Sequence, residues 1–124
     1  MDAVLQLAKT FFDAVENGDV AALKSIYAPD AKIWHNTDEL EQTVDDNVKT
    51  LEGFVSRIAN RRYEDRRVGA FPGGFVHQHT LTGTRAKDGV PVRLTACIVC
   101  TVKNGRITRL DEYFDSDAVA RFRA

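Results

Sequence analysis

Histidine and glutamate side chains are the groups in this chain best suited to moving protons near neutral pH. The chain has three histidines, His35, His77 and His79, and an ordinary imidazole changes its charge near pH 6.5. A glutamate beside a histidine in apolar surroundings holds one imidazole tautomer and makes the other ring nitrogen basic. His35 and Glu112 are therefore candidates for general acid–base chemistry. The alternative is a buried ion pair or hydrogen bond that only satisfies polar groups.

The pair His77 and His79 has a spacing that can present two imidazoles to one metal ion from a single strand. With His35 and Glu112 opposite, a site of three histidines and one carboxylate is conceivable. A histidine pair of this spacing is a weak metal signal when it stands alone. We expect no tightly bound metal and no cofactor.

The first half of the chain has the apolar periodicity of helices, and three helices are predicted there. Gly18 ends the first helix, Asp19 caps a shorter second helix, and Pro29 stops it. Thr43, with Asp46 three residues later, predicts the capped start of a third helix. The apolar faces of the three helices are Val4, Ala8, Phe11, Phe12 and Val15; then Leu23, Ile26 and Tyr27; then Val44, Val48, Leu51, Val55 and Ile58.

Alternating apolar and polar residues predict strands in the second half, after one short strand over 31–36. Cys97 and Cys100 fall on one of these strands, where residues three apart face opposite sides, so we expect two structural thiols. Asn104-Gly105 is a strong hairpin signal, and the tail over 116–122 could form a helical turn. The predicted long strands cover 63–71, 75–85, 92–103 and 106–115.

These elements predict an α+β fold in one domain over 1–124, with a strongly curved antiparallel sheet wrapped around three N-terminal helices. The 124 residues carry a formal net charge of −1, which argues against a nucleic-acid binder. No apolar run reaches the length of a membrane span. The start of the chain lacks the basic and apolar pattern of a signal peptide, so we expect a cytoplasmic protein.

Four short segments carry a resemblance to a known family: ENGDV at 16–20, IYAPDA at 26–31, NGRI at 104–107 and YFD at 113–115. With them the chain resembles the nuclear-transport-factor-2-like superfamily, in its SnoaL-like or ketosteroid-isomerase-like branch, over nearly its whole length. The resemblance implies a conical half-barrel with a deep pocket between helices and sheet. It also implies dimers paired through the outer sheet faces, and a mixture of isomerases, cyclases, dehydratases, epoxide hydrolases and binding modules.

Individual positions both match and depart from the patterns of this superfamily. His35 resembles the position of the carboxylate base of ketosteroid isomerases, whose oxyanion-binding tyrosine is Phe11 here. His79 and Glu112 match an inward arginine and a catalytic aspartate of members similar to limonene epoxide hydrolase. The other catalytic aspartate of that group is Leu81 here, which argues against epoxide hydrolysis by that mechanism.

Inward-facing apolar residues are expected to form the pocket wall around these polar groups. The predicted ligand-binding residues are Phe11, Phe12, Val15, Ile33, Leu51, Phe54, Val55, Leu94, Ala96, Ile98 and Leu110. We expect Leu23 to belong to the same wall.

Two functions fit these expectations. The first is a cofactor-independent acid–base enzyme on a small, largely apolar organic molecule, of the isomerase, dehydratase, cyclase or hydrolase type. His35 would be the base or acid, Glu112 its orienting partner, and His79 a hydrogen-bond donor to developing negative charge. The second is a non-catalytic binding or accessory module. In either case we expect a homodimer through the outward sheet face, which includes Val76, Gln78, Thr80, Thr95, Cys97 and Val99.

Overall fold

Apart from one additional short strand, the helices and strands follow one another in the predicted order. The computed structural model describes residues 3–123. The elements are α1 Ala3–Asn17, α2 Val20–Ile26, β1 Tyr27–His35, β2 Glu41–Gln42, α3 Val44–Arg57, β3 Ile58–Phe71, β4 Gly74–Arg85, β5 Pro91–Lys103, β6 Arg106–Phe114 and α4 Ser116–Arg123. No helix in this part of the chain is long and apolar enough to cross a membrane.

The helix ends confirm the predicted caps. The Asp19 side chain accepts a hydrogen bond from the backbone N–H of Ala22 at 3.1 Å. Thr43 and Asp46 form a reciprocal capping box, in which each side chain accepts from the other residue's backbone N–H. These bonds satisfy donors that the first turn of a helix leaves without an internal partner.

Six strands form one sheet in the order β2-β1-β6-β5-β4-β3. The strands β3 to β6 are the predicted antiparallel meander. Asn104 and Gly105 turn the last hairpin with φ of 54° and 75°, the left-handed region that such a turn requires. In contrast to the all-antiparallel expectation, β1 runs parallel to β6. The short strand β2, which the sequence analysis does not predict, pairs with β1.

Two predicted boundaries were wrong. Tyr27 begins β1 instead of ending the second helix, and Pro29 lies inside the strand. The β1–β6 register is interrupted between Tyr27 and Lys32, so Pro29 sits where the ladder has a gap and its missing N–H costs no ladder bond. Ile58 likewise begins β3 instead of extending the apolar stripe of α3.

The curvature of the sheet has a local cause in β3. Its pairing with β4 shifts register twice, between Ala59 and Arg62 and between Glu64 and Arg67. Asn60 and Asp65, which lie inside those intervals, have positive φ values of 55° and 54°. Such bulges bend a strand and increase its twist. The concave side of the sheet then faces the helices.

Candidate functional site

His35 and Glu112 meet on the concave side of the sheet. The parallel register places His35 of β1 directly beside Glu112 of β6. Neighbouring residues in register project to the same face of a sheet. The His35 Nε2 atom lies 3.0 Å from the Glu112 Oε1 atom, and the side chains are 18% and 19% exposed. The strongest sequence candidates are therefore in direct contact and within reach of a ligand.

A cavity of about 210 Å³ lies between the sheet and the helices, and both groups line it. Most of its wall is apolar, as expected. The predicted ligand-binding residues that line it are Phe11, Phe12, Val15, Ile33, Leu51, Phe54, Leu94, Ile98 and Leu110, together with Leu23.

Two predicted wall residues lie elsewhere in the described structure. Val55 is not part of the lining, because its side chain packs over Gly18 at the corner between α1 and α2. Ala96 is buried and points to the concave side, but its short side chain lies between its register neighbours His79 and Phe114. The Phe114 ring lines the cavity instead.

His79 is not part of the cavity wall, which differs from the expectation. It is only 3% exposed, and its ring lies 4.8 Å from that of Tyr63 and 5.3 Å from that of Phe12, centroid to centroid. Both of these rings do line the cavity. The alternation correctly placed His79 on the concave side, but aromatic rings from α1 and β3 lie between it and a ligand.

His77 and His79 form a buried imidazole pair behind that wall. Their Nδ1 atoms lie 3.1 Å apart, so one nitrogen donates and the other accepts. The His77 ring also stacks on Phe12 with a centroid distance of 3.6 Å. Burial, with smaller contributions from His79 and Arg66, lowers the pKa of His77 to about 3. Burial also lowers the pKa of His79, although Glu112 opposes that shift. Both imidazoles are neutral near pH 7.

Two tyrosines that the sequence analysis did not select line the cavity: Tyr27 and Tyr63. Burial is the main cause that raises the pKa of both phenols, and the negative charge of Glu112 adds to it, after Cys100 in the case of Tyr27. Both phenols therefore stay neutral donors. Neither hydroxyl makes a hydrogen bond to another residue of the described chain. The backbone N–H of Tyr63 donates to Glu16 Oε2 at 2.7 Å, which fixes the residue in place.

Polar side chains from the β1–β2 loop, β2 and α3 surround one end of the cavity. The Gln42 amide donates to Thr50 and accepts from Asn47, each at 3.2 Å. Thr37 and Asp38 of the β1–β2 loop also line the cavity.

The family model of the SnoaL-like domain matches residues 8–110. The chain belongs to the SnoaL-like domain family. Its fold is that of the nuclear-transport-factor-2-like superfamily. The sequence has no significant match among curated proteins.

Solved structures show the same fold as this SnoaL-like domain at low sequence identity. A protein of unknown function with this fold from Burkholderia pseudomallei is 19% identical, with 98% of each chain covered and a TM-score of 0.85. A candidate polyketide cyclase from Xanthomonas campestris is 17% identical, with 97% of this chain and 96% of that chain covered and a TM-score of 0.85. A protein with a ketosteroid-isomerase-like fold from Catenulispora acidiphila, solved in complex with trimethylamine, is 12% identical. The match covers 91% of this chain and 88% of that chain, with a TM-score of 0.80.

Metal-ligating side chains are not gathered in the SnoaL-like domain. Within residues 3–123, no group of three or more His, Cys, Asp or Glu side chains could share one ion. The register explains why the conceivable four-ligand set is not assembled. Ile98 of β5 separates Glu112 from His77, and His79 lies behind the aromatic wall.

Proposed function

We propose that this SnoaL-like domain is a cofactor-independent acid–base enzyme that acts on a small, largely apolar organic molecule. The reaction types in view are isomerisation, dehydration, cyclisation and hydrolysis. One observation carries the proposal: the 3.0 Å contact between His35 Nε2 and Glu112 Oε1 faces an otherwise mostly apolar cavity. An acid–base pair of this kind must converge on space that a substrate can occupy.

In the proposed mechanism His35 takes or gives the proton, and Glu112 holds its imidazole in one orientation. The carboxylate also stabilises the imidazolium that forms when His35 accepts a proton. Apolar walls strengthen this interaction because they exclude water from around the pair. General acid–base catalysis of this kind contributes roughly 10²–10⁴-fold to a rate.

Tyr63 and Tyr27 take the hydrogen-bonding role that the sequence analysis gave to His79. Both tyrosines line the same cavity as Glu112, whereas His79 lies behind the Tyr63 ring. A phenol donates one hydrogen bond to an oxygen that gains negative charge during a reaction. Donors inside a cavity with little water are more effective than donors in solution. His79 then acts as packing that supports the Tyr63 ring.

The second candidate function is a binding module without turnover. The observation that favours it is the same contact, because His35 and Glu112 satisfy each other in the absence of a ligand. In that case the contact between His35 and Glu112 only compensates for the burial of their own polar atoms at the cavity wall.

We also propose a homodimer that forms through the outward face of the sheet. Trp34 and Tyr113 pack edge to face there, with ring centroids 5.4 Å apart, and Tyr113 is 46% exposed. Val76, Cys97 and Val99 are half-buried on the same face. An apolar, aromatic sheet face of this kind is typical of a subunit interface.

The test uses a compound that reports removal of one carbon-bound proton, 5-nitrobenzisoxazole, whose ring opens to a coloured phenolate. We expect the protein to accelerate this ring opening and His35→Asn to lower the rate by roughly 10²–10⁴-fold. The stability of His35→Asn should change by no more than about 1–2 kcal/mol. The matched control, Leu51→Ala, removes apolar packing from α3 and should cost about 2–5 kcal/mol of stability. A rate that His35→Asn leaves intact refutes the acid–base role, and loss of folding in both His35→Asn and Glu112→Gln favours the binding module.

A further inference from the structure

Arg57, the last residue of α3, is among the residues that line the cavity. The cavity-facing side of α3 runs from Asn47 to Arg57, and ten helical residues span about 15 Å. The Asn47 end is tied to β1 through Gln42, which is bonded to Asn47 and lies opposite Ile33 in the sheet. Arg57 therefore occurs at the far end of the helix from the acid–base pair.

The usual structural roles of an arginine at a helix C-terminus are already filled at this position. Arg61 Nη1 donates to the backbone oxygens of Val55 and Ile58 at 3.2 Å and 2.8 Å. The backbone N–H of Ala86 donates to the oxygen of Arg57 itself at 2.8 Å. The last carbonyls of α3 thus have other donors. Among the residues that the structure describes, no carboxylate lies within ion-pair distance of the Arg57 guanidinium.

A glycine inside α3 makes room for this guanidinium. Arg57 Nη1 would lie only 3.1 Å from a Cβ at Gly53, one turn earlier. Glycine in the middle of a helix is unfavourable by about 1 kcal/mol relative to alanine. Gly53 therefore gives up some helix stability at the place where the Arg57 head group lies.

Positive charge accumulates around the same end of the cavity. Phe122 lines both the cavity and a neighbouring surface groove. Three further arginines, Arg85, Arg93 and Arg121, line that groove together with one carboxylate, Asp115. Arg85 is paired with Asp88, so the three arginines still outnumber the two acids. The acidic lining residues, Asp38 and Glu112, belong to the other end of the cavity. The two ends therefore differ in the sign of their charge, and an anion is favoured at the Arg57 end.

We propose that the natural ligand is an apolar molecule with a carboxylate at one end, and that Arg57 binds this carboxylate. The planar guanidinium presents paired N–H donors that match the two oxygens of a carboxylate. The apolar body then fills the cavity and brings the uncharged end of the ligand to His35 and Glu112. This orientation rests on the proposed function, whereas the binding of a carboxylate at Arg57 does not.

Binding of decanoate and of its neutral counterpart decanamide, measured by titration calorimetry at low ionic strength, tests the proposal. We expect the protein to bind decanoate about tenfold more tightly than decanamide. Arg57→Gln should remove this preference. The charge-matched control, Arg62→Gln, should keep it, because Arg62, which is exposed like Arg57, does not line the cavity. His35→Asn should also keep it.

Three results would overturn the proposal: no binding of decanoate, equal binding of the two compounds, or a preference that survives Arg57→Gln. A preference lost in His35→Asn would overturn it as well, because the carboxylate would then lie at the acid–base pair. Failure of the proposed function gives a different result. In that case His35→Asn leaves turnover of the benzisoxazole intact, while the carboxylate preference still depends on Arg57.

Discussion

Acid should weaken this protein through its buried imidazole pair. His77 has an ordinary pKa of 6.5 and a pKa of about 3 in the folded state, because burial disfavours its charged form. Above pH 6.5 the residue is neutral in both states and has no effect. Below pH 6.5 the unfolded chain binds a proton that the folded chain does not, so stability falls as the pH falls.

The magnitude follows from the linkage between protonation and folding. One proton taken up only by the unfolded state costs about 1.4 kcal/mol per pH unit, so the interval from pH 6.5 to pH 5 costs about 2 kcal/mol. His79, whose pKa is also lowered, adds a loss in the same direction. The carboxylates of Asp13, Glu41 and Asp88 have lowered pKa values and titrate below this window. Between pH 8 and pH 5 His77 and His79 therefore lower the stability. A variant that lacks the His77 imidazole separates its contribution from that of His35, which contacts Glu112.

The assay is urea unfolding at several pH values, compared with the same series for His77→Phe. The phenylalanine keeps a ring against Phe12 but cannot take a proton. We expect the variant to be less stable at pH 8 by about 1–3 kcal/mol, because the His79 Nδ1 atom loses its partner. Its loss of stability between pH 7 and pH 5 should be smaller than that of the parent by about 2 kcal/mol. An unchanged pH dependence in His77→Phe would refute the reasoning.

Three further outcomes are expected. Sedimentation at micromolar concentration should show a dimer, and a single 13.8 kDa species would contradict the proposed interface. Elemental analysis of protein purified without an affinity tag should give well under one equivalent of transition metal; a stoichiometric metal lost in His79→Ala would replace the acid–base scheme with Lewis-acid chemistry. Gly74→Ala should cost more than about 2 kcal/mol of stability, because the new Cβ would collide with the backbone oxygen of Cys100. Gly69→Ala meets open space and should change the stability by less than about 0.5 kcal/mol. Equal effects of the two variants in a thermal melt would show that the Cys100 contact is easily relieved.

The inward faces of the strands could be predicted from the sequence because side chains alternate with a period of two. The alternation alone predicts that His35 and Glu112 face the concave side. Their direct contact could not be predicted in the same way. It depends on the parallel register of β1 and β6, which are far apart in the chain, and no local pattern encodes that register.

The place of Tyr27 in the cavity was not predicted, because Tyr27 continues the apolar spacing of Leu23 and Ile26 and was therefore assigned to the second helix. A signal was nevertheless present: the residue before a proline avoids helical geometry, so Ala28 already favours an extended chain. Tyr63 was placed on a strand but not in the pocket. The β3 bulges around Asn60 and Asp65 determine which of its residues face inward, and positive φ values at such positions are not evident from the sequence.

His79 shows the limit of reasoning from alternation alone. The pattern indicates which face of the sheet a residue occupies, but not what covers it. Here rings from α1 and β3 cover His79, and their arrival depends on how the helix packs in three dimensions. Arg57 was missed for a related reason, because its place at the end of the cavity follows from the packing of α3 and not from its helical periodicity.

A double-mutant cycle on the benzisoxazole reaction tests the central claim, that His35 and Glu112 act as one acid–base unit. The rates of His35→Asn, Glu112→Gln and the double variant are compared with that of the parent protein. If the pair acts as a unit, the double variant should lose little more than His35→Asn loses alone, because Glu112 works through the imidazole. Multiplicative losses, in which Glu112→Gln lowers the rate equally with and without His35, would contradict the account.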